Sequence, residues 1–318
     1  MPTHAITIDE TEAAAVIAAV DGHRARPLPI EHGMGWLRDL PDFRDYTAEH
    51  EEVQPQLAKL DAAQAGNGTG AGLDTSVDLR EWFSPIEDQG QLGSCTANAG
   101  VGMVEYFERR AHGKHIDASR LFLYKVSREL LHFTGDTGAF LRTTMGALRL
   151  FGVPPEEYWP YDIVTYDREP PAFCYAFAQN YQAMRYYRLD PPGTSPDDLL
   201  ARIKTNLSAN LPSMFGFTVY SSITQADSNG EIPYPAAGER AVGGHAIVAA
   251  GYDDGKTIRN ASGGQATTGA FLIRNSWGPG WGDAGYGWLP YEYVHQGLAV
   301  DWWSLIKNEW VDTGRFSQ

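Results

Sequence analysis

The chain has 318 residues, 43% of them apolar and 20% charged, which suits a soluble globular protein with a large core. Its formal net charge of −15 argues against nucleic acid or an anionic membrane surface as partner. No run approaches the roughly 20 apolar residues of a membrane span. The opening MPTHAITIDETEAAAVIAAVDGHR puts Asp9, Glu10 and Glu12 where a secretory leader would be basic, so a cytoplasmic protein, or one exported without a Sec signal peptide, is expected.

Residues 1–60 form an N-terminal extension. Glu10 to Val20 is a short alanine-rich helix candidate, with Thr7 or Asp9 near its cap. MGWLRDLPDFRDYT then sets Trp36, Leu37, Leu40, Phe43 and Tyr46 among prolines and charges. So short a stretch cannot hide those rings alone and must dock on something. Two readings stay open: an inhibitory pro-segment lying in its own protein's cleft, or an arm that only packs on the body. Residues 61–77, with glycines at 66, 68, 70 and 72, form a flexible linker of the kind proteases cut. The main domain then spans 78–318, a mature form starting near Asp78.

Within that domain the first half, to about residue 190, is mainly helical. DQGQLGSCTANAG carries Cys95 at a Gly/Ser turn that opens a helix, with Ala97, Val101, Val104 and Glu108 on helical spacing. A thiol at a helix N-terminus is favoured as its anion. Ser119 caps the next helix, and Leu141, Met145 and Leu148 share a face of a third that stops at Gly152. The stretch VPPEEYWPYDIVTYDREPPAF is a packed irregular connection.

From 191 on, strands dominate, and QAMRYYRL just before is already a strand candidate. Ser195 and Pro196 start a helix that leads into the buried strand LPSMFGFTVY. His245 opens an apolar strand, Asn275 ends another, and Tyr286 to Leu289 forms a third. The aromatic tail DWWSLIKNEW should pack on the body. Asp227, Asn229 and Glu231 lack the twelve-residue calcium loop and make an ordinary turn. No zinc spacing and no phosphate loop occur, so neither metal nor cofactor is expected. Asn67, Asn206 and Asn260 start glycosylation patterns that would matter only in a secreted chain.

Gln89 stands six residues before Cys95, His245 stands 150 after it, and Asn275 30 after that, followed by SWGPGWG. In this order the residues resemble the papain family of cysteine peptidases. The resemblance covers about Asp78 to Tyr293. It implies a two-lobed α+β fold, a helical lobe and an antiparallel β-rich lobe with the active cleft between them. Where the family has Cys-Gly-Ser-Cys-Trp, this chain reads Leu92-Gly93-Ser94-Cys95-Thr96, so a disulfide cysteine and an aromatic are replaced. With Cys95 as nucleophile, Cys174 has no partner and no intramolecular disulfide is expected, in keeping with a reducing compartment.

The resemblance also implies roles. Cys95 attacks a peptide carbonyl, His245 acts as acid and base, Asn275 orients the imidazole, and Gln89 donates to the oxyanion with the Cys95 backbone N–H. Trp277 shields the His–Asn bond. Gly93, Gly138, Ala139, Gly244 and Ala246 are the expected substrate contacts, Ala246 and Met214 shaping the pocket that sets preference. Two other outcomes use the same residues: an acyl-transferase or ligase, and a peptide-binding protein without turnover.

Overall fold

The computed structural model describes residues 32–65, 73–181 and 185–317. The helix expected at Glu10 to Val20 lies outside them. In chain order the principal elements are β1 (Trp36–Leu37), α1 (Gln54–Ala65), β2 (Ser76–Asp78), α2 (Cys95–His112), α3 (Arg120–Leu130), β3 (Ala139–Phe140), α4 (Leu141–Leu150), α5 (Ala172–Ala178) and β4 (Arg185–Arg188). They continue with α6 (Pro196–Ser208), β5 (Ser213–Tyr220), β6 (Ala241–Ile258), β7 (Thr267–Arg274), β8 (Tyr286–Pro290), α7 (Glu292–His295), β9 (Ala299–Ile306) and α8 (Asn308–Val311).

The central element is α2. It starts at Cys95 because Gly93 and Ser94 turn the chain, and it ends at Gly113, whose φ of 73° suits a left-handed cap and whose N–H closes on the Arg109 carbonyl. Most of its residues are buried, so it is a core helix. Small residues make that possible. A Cβ on Gly100 would press on Leu123, Thr144 and Leu148, and one on Gly102 would meet the Arg274 guanidinium. With α3 and α4 packed beside it, α2 makes the helical lobe. Ser119 caps α3 by accepting from the Phe122 N–H, and Ser195 caps α6 the same way from Asp198.

The β lobe is a sheet in the order β4-β9-β5-β6-β7-β8, with β2 added on β6, and every pairing is antiparallel. The aromatic tail packs as expected, but as a strand inside the sheet: β9 lies between β4 and β5, and Trp302 stacks on Phe215 at 3.8 Å. β4 falls within the strand candidate QAMRYYRL and joins this sheet although it precedes residue 191, so the boundary at 190 lies a few residues too late.

The extension docks on the body. β1 runs parallel to β3, pairing Trp36 with Ala139, and the Arg188 N–H bonds to the Tyr46 carbonyl. Its polar anchors are arginines of the body. Arg142 holds Asp39 and Asp45, and Arg188 stands 3.5 Å from Asp45. Of the aromatic side chains expected to dock, Trp36 is buried whereas Phe43 is 93% exposed, held at the surface with Arg44 over its ring. α1 runs through Ala65, so residues 61–65 of the expected linker are helical. That helix lies against the C-terminal residues, with Lys59 3.0 Å from Asp312.

Candidate active site

The cleft is built where the start of α2 meets the middle of the sheet. Cys95 is the first residue of α2 and His245 lies in β6, opposite Phe217 of β5. Asn275 directly follows β7. The backbone N–H groups of Ala246, next to His245, and of Gly35 face the Cys95 thiol. All three side chains are buried.

Asn275 decides the imidazole's tautomer. Its Oδ1 accepts from the Ser276 N–H at 2.8 Å, which fixes the amide's orientation, and the same oxygen lies 2.8 Å from His245 Nε2. A neutral ring must therefore carry its proton on Nε2 and donate it to Asn275. Nδ1 is left as a bare acceptor, buried and without a hydrogen-bond partner. Trp277 stacks on the ring at 4.6 Å, and Trp281 meets Trp277 edge-on.

Gln89 is joined to the same loop. Its N–H bonds to the Ser276 carbonyl, the Gly278 N–H bonds to the Glu87 carbonyl, and Asp88 bridges Trp277. Ser276 Oγ donates to Gln89 Oε1 at 2.6 Å, so the amide must turn its Nε2 the other way. That nitrogen donates to the Leu92 carbonyl and to the Gly33 carbonyl, both at 2.9 Å. The loop that orients the imidazole thus also orients the amide donor.

No crosslink is available at Leu92, and carboxylate bonds hold the nucleophile's loop instead. Asp136 accepts from the Gly93 N–H and from Tyr124 Oη, which in turn accepts from the Gly138 N–H. This ties the turn before Cys95 to the opposite wall of the cleft. The Thr96 hydroxyl, where the family carries an aromatic, is buried with no hydrogen-bond partner. Cys174 is a free, buried thiol and no disulfide joins the two cysteines.

Residues 32–37 fill the cleft. His32 stacks on Trp277 at 5.2 Å, and the Gly33 N–H bonds to the Gly90 carbonyl. Gly35 lies so close to Gly93 that a Cβ on it would overlap the Gly93 backbone, and its carbonyl accepts from the Ala139 N–H at 2.9 Å. Trp36 rests on Gly216 and Gly244, and its Nε1 donates to Asp301 at 3.1 Å. Gly93 and Gly138 lie against Gly35, Ala139 pairs with Trp36 and Gly244 touches the Trp36 indole, whereas Ala246 turns its N–H to the Cys95 thiol.

Burial under this cover sets the protonation states. It pushes the Cys95 thiol up to about 11 and the His245 imidazole down to about 4, so both are neutral over the whole range between. The helix N-terminus does not reverse this. The thiolate favoured by sequence position alone is therefore not the resting state of the covered site, because desolvation outweighs the helix amides.

Sequence reasoning missed three groups. Ser276 follows Asn275 directly and could have been found as the only hydroxyl in NSWGPGWG. Asp136 had no signal beyond a turn composition. Asp301 hid in the aromatic tail. The preference pocket was expected from Ala246 and Met214; Trp36 fills a pocket made by Gly216, Gly244 and Asp301, while Met214 is a buried residue two places along β5.

A helical lobe and a β lobe with thiol, imidazole and carboxamide meeting in the cleft define a cysteine-type peptidase. The chain belongs to the papain family of cysteine proteases, whose model matches residues 73–311. An uncharacterized peptidase C1-like protein of Acanthamoeba polyphaga mimivirus is 32% identical over 287 residues, 87% of each chain. Xylellain, a cysteine protease from Xylella fastidiosa, is 30% identical with a TM-score of 0.66, covering 86% of this chain and 96% of that one. Cathepsin K of Gallus gallus is 30% identical over 220 residues, 66% of this chain and 57% of its own length.

Proposed function

We propose that this cysteine peptidase hydrolyses peptide bonds through a Cys95 acyl-enzyme and is held latent by its own residues 32–47. The Asn275–His245 bond carries the first part: with Nε2–H committed to Asn275, the bare Nδ1 is the atom free to take the thiol proton. Cys95 sulfur then bonds to the substrate carbonyl carbon, whose oxygen gains the electron pair and is held by Gln89 Nε2–H and the Cys95 N–H. As the tetrahedral adduct collapses, the C–N bond breaks and the imidazolium passes its proton from Nδ1 to the leaving amine. Water, deprotonated by the same nitrogen, adds to the thioester; collapse releases the acid and returns the proton to sulfur.

The occupied cleft supports latency. Gly33 takes the Gln89 amide, Gly35 takes the Ala139 N–H, and Trp36 fills the pocket, so a peptide has no open seat. Burying the indole contributes about 3 kcal/mol, and each backbone bond about 1 kcal/mol.

The test is digestion of a mixed peptide library, followed by intact mass of both protein and peptides. Protein opened by Trp36→Ala should cleave, full-length wild type should cleave far more slowly, and adding Cys95→Ala or His245→Ala to the opened protein should abolish cleavage. Cleavage that persists in both variants would remove Cys95 and His245 from the mechanism. Amine-capped products without hydrolysis would turn the reading to acyl transfer.

A further inference from the structure

The pocket filled by Trp36 has an unusual floor. Asp301 is fully buried, and its two oxygens are divided between two indoles: Oδ1 accepts from Trp303 Nε1 at 2.7 Å and Oδ2 from Trp36 Nε1 at 3.1 Å. Trp303 belongs to the sheet and stays, whereas Trp36 belongs to the extension and leaves when the cleft opens. Oδ2 would then be a buried acceptor without a donor, aimed into an empty slot.

The backbone is bent to place it. Asp301 has a φ of 63°, in the left-handed region that a non-glycine residue adopts at a cost. It sits in β9 at an irregularity where the register with β5 shifts between Met214 and Gly216. Such irregularities re-aim a side chain. Asp190 secures the bend, its carboxylate accepting the N–H groups of both Asp301 and Trp302. The walls are bare because they are glycine: a Cβ on Gly216 would overlap the indole, and one on Gly244 would touch it.

The charge around the floor is already balanced. Arg188 stands 3.3 Å from Asp301 and bonds to Asp190, and Arg142 lies nearby over the Trp303 ring. When the extension leaves, Asp39 and Asp45 go with it, and two arginines face two aspartates. A further cation would meet Arg188, so a neutral donor fits best.

From this geometry we propose that Asp301 is the specificity-determining residue of the cleft and selects peptides carrying tryptophan in the Trp36 pocket. This deepens the peptidase reading and rests on it. The flat indole fills the glycine-walled slot, and its N–H returns a donor to Oδ2. Phenylalanine and leucine fill the slot but leave the acceptor unpaired in a dry site, which costs more than the lost bond alone.

The test uses full-length protein carrying Trp36→Ala, which empties the pocket, with the peptides Ac-Gly-X-Gly-amide where X is Trp, Phe, Leu or Arg. Two signals are read: protection of Cys95 from iodoacetamide by intact mass, which needs no turnover, and cleavage of longer peptides with X at each position around the scissile bond. Expected is roughly ten-fold better protection and cleavage with Trp than with Phe or Leu, with Arg poorest. Adding Asp301→Leu should bring the Trp-to-Phe ratio to about one, while Asp301→Asn, which keeps an acceptor oxygen, should hold part of it. Ratios within one variant are unaffected by how much of it folds. Cleavage with no Trp preference, a ratio unchanged in Asp301→Leu, or protection by no peptide would overturn the proposal. Trp-selective protection without any cleavage would uphold the pocket and sink the peptidase reading instead.

Discussion

The Gln89 side-chain amide donates to the carbonyl of Gly33 at 2.9 Å, across 56 residues of chain. The same amide is fixed from behind by Ser276 at 2.6 Å, so its direction is set before any substrate arrives. An oxyanion donor is thus aimed into the cleft and satisfied there by the chain itself. Replacing Ser276 by Ala should leave Gln89 free to turn. Since such a donor contributes roughly 3 kcal/mol and only its orientation is lost, kcat should fall about ten-fold with KM nearly unchanged. Ser276→Thr, which keeps the hydroxyl, should restore part of it. Steady-state kinetics on one cleaved peptide decides this; a change in KM alone would contradict the assignment.

Gly35 can lie on Gly93 only because neither has a side chain there. In Gly35→Val the new atoms would overlap the Gly93 backbone, which is part of the loop braced by Asp136 and cannot retreat. Overpacking of this kind costs about 1–3 kcal/mol. Docking should weaken, and Cys95 alkylation by iodoacetamide at neutral pH should speed up at least about ten-fold, with circular dichroism unchanged. An unaltered alkylation rate would mean that residues 32–37 do not guard the thiol.

The pH profile of that alkylation should move as well. Covered, the thiol sits up at about 11 and the imidazole down at about 4, both through desolvation. Letting water in stabilises thiolate and imidazolium together, so the thiol's pKa falls and the imidazole's rises. Full-length wild type should react appreciably only well above neutrality. Gly35→Val should react from mildly acidic pH upward. Two superimposable profiles would show that cover and protonation are not linked.

Glu105 is a second buried acid, remote from the cleft, accepting from Ser84 Oγ and the Ala118 N–H. Burial pushes it up to about 7 from an ordinary value of 4.5. Between those two values the folded chain binds a proton that the unfolded chain has released, so stability falls as pH rises through this window. Its contribution to the slope is at most about 1.4 kcal/mol per pH unit. Asp301, pushed up to about 7, acts in the same direction. Glu105→Gln should therefore flatten the decline in urea midpoint between pH 5 and 8 without abolishing it. A steeper decline in the variant would reverse the assigned sign.

The family, the α+β class and the four residues Gln89, Cys95, His245 and Asn275 were legible in the chain because each is carried by local pattern. Gly93 and Ser94 turn the chain before Cys95 and α2 then starts at that residue; continuous apolar runs put His245 in a strand and Asn275 at the end of one. The docking of the aromatic segment near Trp36 was legible too, since an indole among prolines cannot hide itself. Its site was not, because that depends on what lies opposite across more than a hundred residues: the Gly216 and Gly244 walls, the Ala139 N–H and the Asp301 floor.

The thiol's charge belongs to the same class. Position at a helix N-terminus favours a thiolate, yet the packed extension excludes water and keeps the thiol and imidazole neutral. Desolvation is a property of the assembled cleft, so no reading of neighbouring residues reaches it. Asp136 and Ser276 show the same limit, each a polar side chain whose partner is brought to it only by folding. Local propensity and spacing determined which groups this chain would bring together; close packing of distant segments decided their orientation, their protonation and what covers them.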